Sequence, residues 1–371
     1  MKSRSSESQL SEKQVIRRPD WHGSESQQRD ARKRLTPGAR LLGRLPIPPA
    51  VERATLTVDD VAVSLTHLDK VLFPAEGLRK RDLLEYAYDV AEFLLPHMRE
   101  RPLSLKRYPH GIGGMSFFQK EAGASMPAWV RTTAMASKGE RASINYVLCD
   151  DCPTLLYLVN LGCIDHHCWM SRAATPDEPD FVLLDLDPGP RASFAAVIQV
   201  AIALRQILES WQIEAWPKTS GATGMHILVP LGPGHTYAQS ARFAEIMLRA
   251  AAATLPELTT LVWAVHERPA DRVYLDYRQN ARGKTIPPAY SPRPLPGAPV
   301  STPLRWGEVR TGLNPAAFTL EKVRRRLERF GDLAAGVLPR GEGLQLQSLL
   351  ERMTPAPPPS PRKSRRGRST R

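Results

Sequence analysis

The chain has 371 residues, with 51 Lys and Arg against 38 Asp and Glu and a formal net charge of +13. That length supplies a core for one large domain or two ordinary ones. No apolar run reaches membrane length and the first thirty residues lack the apolar centre of an export signal, so a cytoplasmic protein with reduced thiols and no membrane partner is expected.

The charge sits at the ends. Residues 1–44 hold 11 Lys and Arg against 5 acids, and residues 362–371 hold 6 Lys and Arg with no acid, which leaves the middle close to neutral. Both ends are poor in apolar residues and cannot bury enough surface to offset their ordering entropy. The expected organisation is a basic disordered extension over residues 1–50, one folded domain over 51–340, and a Pro-rich basic disordered tail over 341–371. Two roles for the extensions stand side by side: holding DNA through salt-sensitive phosphate contacts, or keeping the protein soluble.

Between the ends, residues 54–65 read as a short strand and residues 80–95 as an amphipathic helix entered through the turn Pro74-Ala75-Glu76-Gly77. Residues 155–161 are strongly apolar. Around them stand Cys149, Cys152, Cys163 and Cys168 with His166 and His167, a set compatible with tetrahedral zinc or with ordinary buried thiols; the apolar run favours the second. Strands are expected over 181–187, 224–230 and 273–277. Helices are expected over 194–210, 239–252 and 321–330, the last strongly charged. Strands alternating with helices give a mixed α/β class, and internal repeats are absent.

The strand over 181–187 ends in Asp185-Leu186-Asp187. Successive strand side chains alternate faces, so the two carboxylates project together and need a countercharge. A divalent metal suits them, although Asp-x-Asp before a Pro-Gly turn also occurs as a solvated strand end. Residues 218–230 then set Gly221 and Gly224 in a loop before a strand. Backbone N–H groups can approach an anion there, while Ser220, Thr223 and His226 add side-chain donors, a cradle suited to a triphosphate. Further on, Asp276 stands in a strand pattern followed by a polar, basic loop and supplies a third metal ligand.

The order Asp-x-Asp, then Ser-Gly-x-x-Gly-x-His, then a lone Asp on a strand resembles the catalytic signature of the archaeo-eukaryotic primase superfamily. Five further segments are similar to the polymerase domain of bacterial DNA ligase D: residues 65–74 (Leu-Thr-His-Leu-Asp-Lys-Val-Leu-Phe-Pro), 101–111 (Arg-Pro-Leu-Ser-Leu-Lys-Arg-Tyr-Pro-His-Gly), 116–120 (Ser-Phe-Phe-Gln-Lys), 279–285 (Gln-Asn-Ala-Arg-Gly-Lys-Thr) and 299–304 (Pro-Val-Ser-Thr-Pro-Leu). The resemblance spans residues 51–329. It implies a primase-polymerase fold, with a catalytic sheet like that of an RNA-recognition motif beside an N-terminal α/β module.

The same resemblance implies roles. Asp185 and Asp187 would bridge two divalent ions, Mn²⁺ or Mg²⁺, and Asp276 would bind the one that activates a primer 3′-hydroxyl. Ser220, Gly221 and His226 would hold an incoming NTP, with Arg293 and Lys284 adding positive charge, and Gln279 and Asn280 would contact the nucleotide or shape its pocket. Lys70 and Lys80 match positions that grip the 5′-phosphate beyond a gap or broken end. Lys106, Arg107, Phe117 and Phe118 match a template platform, with one of the two rings expected to face DNA. The run over residues 160–166 is similar to one in the relatives that requires no zinc.

The implied activity is template-directed polymerisation, preferring ribonucleotides, that fills gaps and extends DNA ends in bacterial non-homologous end joining. No Lys-x-Asp-Gly nucleophile of an adenylating ligase occurs and no phosphoesterase module fits. Sealing is therefore expected from a separate ligase, beside a Ku-like end-binding protein. The alternatives are a primase that needs no primer, and a nonenzymatic DNA-end-binding protein.

Overall fold

The computed structural model describes residues 51–137, 142–338 and 343–353, together with residues 41, 43, 45, 47 and 341. The basic extensions expected over 1–50 and 341–371 lie largely outside the described residues. Where they are described, both depart from disorder. Leu45 and Ile47 are buried, and Gly43 N–H donates to Asp89 Oδ1 at 2.9 Å.

Strands β1 (Arg53–Val58) and β2 (Val61–Thr66) form an antiparallel hairpin. The single strand expected over 54–65 is thus two. Asp59 and Asp60 turn the chain at φ 48° and 63°, left-handed positions that Asp tolerates, and the apolar alternation changes parity across them, from Leu56 and Val58 to Val61, Val63 and Leu65. After β3 (Val71–Phe73) and β4 (Leu78–Arg79) comes α1 (Lys80–Asp89), followed by α2 (Ala91–Met98). One helix was expected over 80–95. The break falls at Val90, fully buried at φ −95°, ψ 5°, and lets Leu83, Leu84, Phe93 and Leu94 join one core.

Strands β5 (Leu103–Arg107), β6 (Phe117–Gln119), β7 (Thr132–Ala136) and β8 (Ser143–Val147) precede α3 (Cys152–Asn160), whose cap Asp151 accepts from Thr154 N–H. β9 (Cys163–Trp169) follows. The second module begins with β10 (Phe181–Pro188), α4 (Phe194–Ser210), β11 (Trp216–Thr219), β12 (Met225–Pro230), α5 (Tyr237–Thr254), β13 (Thr259–Thr260) and β14 (Val273–Asp276). Its sheet runs β11-β12-β10-β14-β13, antiparallel except for the final pair. Omitting the short β13, this is a β-α-β-β-α-β unit of the RNA-recognition-motif kind. β15 (Thr285–Ile286) then returns to the first module, completing a six-stranded sheet in the order β15-β9-β5-β8-β7 with β6 on β5.

Alternation assigns the faces of the second sheet. Val182, Leu184 and Leu186 of β10, Met225, Ile227 and Val229 of β12, and Val273 and Leu275 of β14 pack with α4 and α5 in one core. Phe181, Leu183 and Leu228 point to the other face. There they meet Met170 and Ile286 in an apolar seam with the first module. The next residues along that face, Asp185 and Asp187, emerge where the seam ends.

The chain closes with α6 (Leu320–Phe330) and α7 (Leu346–Met353). The latter lies inside the segment read as a disordered tail. Leu346 and Leu349 are buried with the α4 and α5 core, and Leu344 bridges Leu231, so a short amphipathic repeat suffices once a partner face exists.

Asn280 pins this arrangement. Its Oδ1 accepts from Leu183 N–H at 2.8 Å and from Ser240 Oγ at 3.1 Å, while Nδ2 donates to Leu183 O at 2.7 Å and to Tyr277 O at 3.1 Å. It thereby continues the β10 ladder beyond the end of β14. Asn280→Ala strands two buried backbone groups of Leu183 and is expected to cost about 2 kcal/mol in urea unfolding, with an unchanged m-value.

Candidate active site

The register places the three carboxylates together. Asp185 lies directly opposite Asp276 across the β10–β14 pair, and Asp187 lies opposite Tyr274. Opposed residues in antiparallel strands hold their Cβ atoms about 5 Å apart, so the three acids share one patch of the sheet. Asp276 Oδ1 accepts from Arg278 N–H at 2.9 Å and from Tyr274 Oη at 3.2 Å. Asp185 Oδ1 is buried and no hydrogen-bond donor reaches it among the described residues.

Burial, followed by repulsion from Asp187 and Asp276, pushes the Asp185 carboxyl well above its usual range, and the Lys218 and Arg293 charges only partly offset this. Asp187 is exposed to solvent, and partial desolvation at the sheet surface, then the Asp276 charge, raises its carboxyl. An orphaned buried oxygen within a crowd of oxygen ligands fits a hard divalent cation, which would remove the desolvation and repulsion together. Among the described residues no group of three or more His, Cys, Asp or Glu side chains is placed closely enough to hold a metal ion as it stands. The carboxylates that would hold an ion therefore share a face without being closed around one.

A row of residues crosses the sheet from the carboxylates. Asp276 faces Asp185, Asp185 faces His226, and His226 faces Lys218. His226 Nε2 is 3.4 Å from Asp185 Oδ1. Burial, with the Lys218 and Arg293 charges, drives the His226 imidazole well below its usual pKa, so the ring is neutral, and its Nδ1 is buried without a partner. Lys218 is fully buried; its ammonium donates to Ser301 Oγ at 2.5 Å and to Pro287 O at 3.1 Å. Burial and Arg293 push its pKa down to about 7.

The glycine loop lies against this row. Ser220 Oγ accepts from Ala222 N–H and Gly224 N–H, both at 3.1 Å, leaving the hydroxyl hydrogen for a ligand. Gly221 has φ +76°, and a Cβ there would meet Ser301 N at 2.6 Å. At Gly224 a Cβ would lie 2.3 Å from Leu186 O, so glycine is what lets the loop reach the carboxylate strand. Arg293 Nη1 donates to Ser220 O at 2.7 Å, and its Nε lies 3.2 Å from Asp165 Oδ1.

Other expected residues lie further out. Gln279 Nε2 donates to Thr285 O at 2.9 Å, while Lys284 is exposed and its ammonium has no ionic or hydrogen-bonding partner among the described residues. The side chain of Asn280 is spent on the β10 backbone, behind the pocket. Phe117 and Phe118 are 46% and 58% exposed and, as successive residues of β6, point to opposite faces of the sheet. The Arg107 guanidinium lies 5.3 Å from the Phe117 ring, and the Lys106 ammonium 5.4 Å from the Phe118 ring.

Lys70 is half-buried and donates to Pro109 O at 3.0 Å. Lys80 is only 5% exposed, and its ammonium donates to Thr66 O at 2.9 Å, Asn160 O at 2.8 Å and Asn160 Oδ1 at 3.4 Å. Burial, then Lys70 and Arg107, push its pKa down to about 8. It is thus a buried structural lysine facing protein oxygens, against the surface position that direct contact with a 5′-phosphate needs.

Lys218, Asp165 and His167 join the site without having been selected from sequence. The two latter were masked by their neighbours, since His166 and His167 sit among cysteines. The four cysteines are all buried with free thiols, and burial pushes each thiol up, which keeps it protonated.

The model of the LigD primase-polymerase domain family matches residues 79–334. The bifunctional non-homologous end joining protein LigD of Bacillus subtilis is 33% identical over 270 residues, covering 72% of this chain and 43% of that protein. The multifunctional LigD of Pseudomonas aeruginosa is 30% identical over 318 residues, covering 85% of this chain and 37% of that protein. The chain thus spans less than half the length of these curated relatives. The solved structure of the polymerase domain from Mycobacterium tuberculosis ligase D in complex with DNA superposes with a TM-score of 0.70 at 29% identity, covering 74% of this chain and 97% of that one. The carboxylate face therefore belongs to a unit that the relatives carry as one part of a longer protein, and this chain is a member of the LigD primase-polymerase domain family.

Proposed function

We propose that this chain is a template-directed nucleotidyltransferase that adds nucleotides at gaps and broken DNA ends during non-homologous end joining. The observation that carries the reading is the set Asp185, Asp187 and Asp276 on one sheet face, with an orphaned buried oxygen, beside the Ser220 loop. When bound, two divalent ions, Mn²⁺ or Mg²⁺, would lower the pKa of the attacking 3′-hydroxyl and neutralise charge on the phosphate oxygens. Asp185 and Asp187 would ligate both ions, and Asp276, whose Oδ1 is already engaged, would offer its other oxygen to one of them.

The remaining groups position the NTP. Ser220 donates its hydroxyl hydrogen to a phosphate oxygen, His226 offers a neutral imidazole, and Lys218 and Arg293 supply positive charge from behind the loop. Lys284 and Gln279 stand at the rim. Phe117 and Phe118, each backed by a cation, present faces on which template bases stack. Lys70 contacts the 5′-phosphate of the far side of a break, with Lys80 contributing field from within the fold rather than a direct contact. A preference for ribonucleotides, a site of action at DNA ends in the nucleoid, and work beside a Ku-like protein and a separate ligase complete the reading.

Labelled nucleotide addition to a gapped duplex with a 5′-phosphate tests it. Wild type is expected to incorporate UTP in preference to dTTP in Mn²⁺, and Asp185→Asn to lose at least about a hundredfold in rate. No metal-dependent incorporation by wild type would refute the polymerase assignment, and a preference for dTTP would remove the ribonucleotide part. Lys70→Ala is expected to remove about tenfold of the stimulation given by the downstream 5′-phosphate, the scale of one charge-assisted hydrogen bond.

The raised carboxyls give a prediction independent of turnover. In chelator, the folded protein holds protons on Asp185 and Asp187 that the unfolded chain releases from about pH 4 upward. Metal-free stability therefore falls as pH rises from there through the raised folded-state values. Asp185→Asn, which removes one of the crowded charges, is expected to raise the metal-free Tm at pH 7.5 by about 2 °C and to flatten that pH dependence. Saturating Mn²⁺ should stabilise wild type and leave the variant nearly unmoved.

A further inference from the structure

Asp165 lies in the middle of β9 and is 1% exposed. Its two oxygens go to different parts of the molecule. Oδ2 is 2.9 Å from Nε2 of His167 on the same strand, and Oδ1 is 3.2 Å from Nε of Arg293. Arg293 in turn holds the Ser220 carbonyl of the glycine loop. The His167 ring stands edge-on to the exposed Phe118 ring, with centroids 5.7 Å apart. Across β5, Asp165 faces Lys106, whose ammonium lies over that same Phe118 ring. One carboxylate thus connects the glycine loop of the second sheet with the aromatic surface of the first.

The strand explains the division of labour. Asp165 and His167 share a face of β9, while His166 between them points into the apolar space lined by Leu83, Leu94 and Leu155. The His167 and Arg293 side chains keep 15% and 16% of their surface, whereas that of Asp165 keeps 2%. The imidazole and the guanidinium are within reach of a ligand and the carboxylate behind them is not. Burial would raise the Asp165 carboxyl, yet the hydrogen bond from His167 and the charges of Arg293 and His167 outweigh it, and the group is held below the usual carboxylate range.

A second buried carboxylate shows the contrast. Asp180 also bridges two side chains, Arg101 and Arg172, but Arg101 is buried and donates to Met170 O, while the more open Arg172 donates to Arg99 O, away from the glycine loop. The anion between His167 and Arg293 differs in standing behind the loop that carries Ser220.

We infer that Asp165 is a positioning residue of the nucleotide pocket, setting His167 and Arg293 together so that the wall under the template platform and the Ser220 loop present their charge to one NTP. The inference rests on the nucleotidyltransferase reading. It makes the pocket a joint property of both sheets: loss of the Asp165 charge releases two ligand-facing donors, His167 and Arg293, at once.

Equilibrium binding of UTP in Mn²⁺ without DNA, gap-filling kinetics and thermal unfolding together test it. Asp165→Asn is expected to weaken UTP binding about tenfold and to raise the KM for UTP by a similar factor, with kcat within about threefold of wild type. A purely structural Asp165 would instead lower Tm and the active fraction while leaving the KM of the surviving enzyme unchanged, and that result overturns the inference. Should Asp165→Asn fail to fold, the cycle formed by His167→Ala and Arg293→Ala decides with Asp165 intact. Their effects on UTP binding are expected to be less than additive because both act through one anion, and additivity within twofold refutes the coupling. A wild type that neither binds nor adds nucleotide overturns the functional reading and this inference with it, whereas an active wild type with unchanged Asp165→Asn kinetics overturns this inference alone.

Discussion

Mutual repulsion among three carboxylates crowded on one sheet face is the constraint around which the second module is arranged. Asp185 and Asp276 are opposed across one ladder and Asp187 follows on the same face, so the strand pairing itself forces like charges together. The structure answers in graded fashion along the hydrogen-bonding direction. Next to Asp185 stands a neutral imidazole, His226, and beyond it the buried ammonium of Lys218. That ammonium donates to Ser301 Oγ and Pro287 O, so it moderates the field at Asp185 without pairing with the carboxylate. Charge compensation is incomplete, as the raised Asp185 and Asp187 carboxyls show.

Register is what protects this arrangement. Leu184 and Leu186 enter the helix-covered core at 0% exposure while Asp185 and Asp187 face outward between them. A slip of one residue would drive two carboxylates into an apolar interior and expose two leucines, an exchange no compensation in the fold could absorb. The apolar seam of Met170, Phe181, Leu183, Leu228 and Ile286 fixes the register from the other side by docking the six-stranded sheet against the same face. The site opens where that seam stops, so its position follows from the length of the apolar run in β10.

Much of this was legible from residues alone, and the reasons are local. Asp-Leu-Asp at the end of an apolar strand shows its face by alternation, and helices α4 and α5 show themselves by long apolar periods. What escaped were features that depend on two or three dihedrals or on distant partners. The Asp59-Asp60 turn marks itself only by a change of parity in a short apolar alternation, and the break at Val90 needs only one residue out of helical geometry. Helix α7 carries too short an apolar stripe to be recognised without the α4 and α5 surface that receives it. Lys80 reads as a surface lysine because its partners, the Thr66 and Asn160 carbonyls, lie far away in sequence. Asp165 and His167 were hidden by chemistry of the wrong kind, the neighbouring cysteines, and only the fold brings Arg293 to them.

The two anion sites of the functional reading share one construction. In each, a cation with access to solvent stands in front of a lysine held inside the fold: Lys70 before Lys80, and Arg293 before Lys218. Both inner lysines donate to uncharged protein oxygens, and both have pKa values displaced downward, to about 8 and about 7. The causes match as well, with burial first and the outer cation second. Two like charges are thereby held close, with Asp165 offsetting Arg293 at 3.2 Å and only carbonyl and amide oxygens facing Lys70 and Lys80. A phosphate placed before the outer cation would relieve that repulsion and favour the charged form of the inner lysine, so anion binding and proton uptake would be coupled at both sites. On the proposed function, the same cations would favour a polyphosphate at one end of the reaction path and a phosphorylated DNA end at the other.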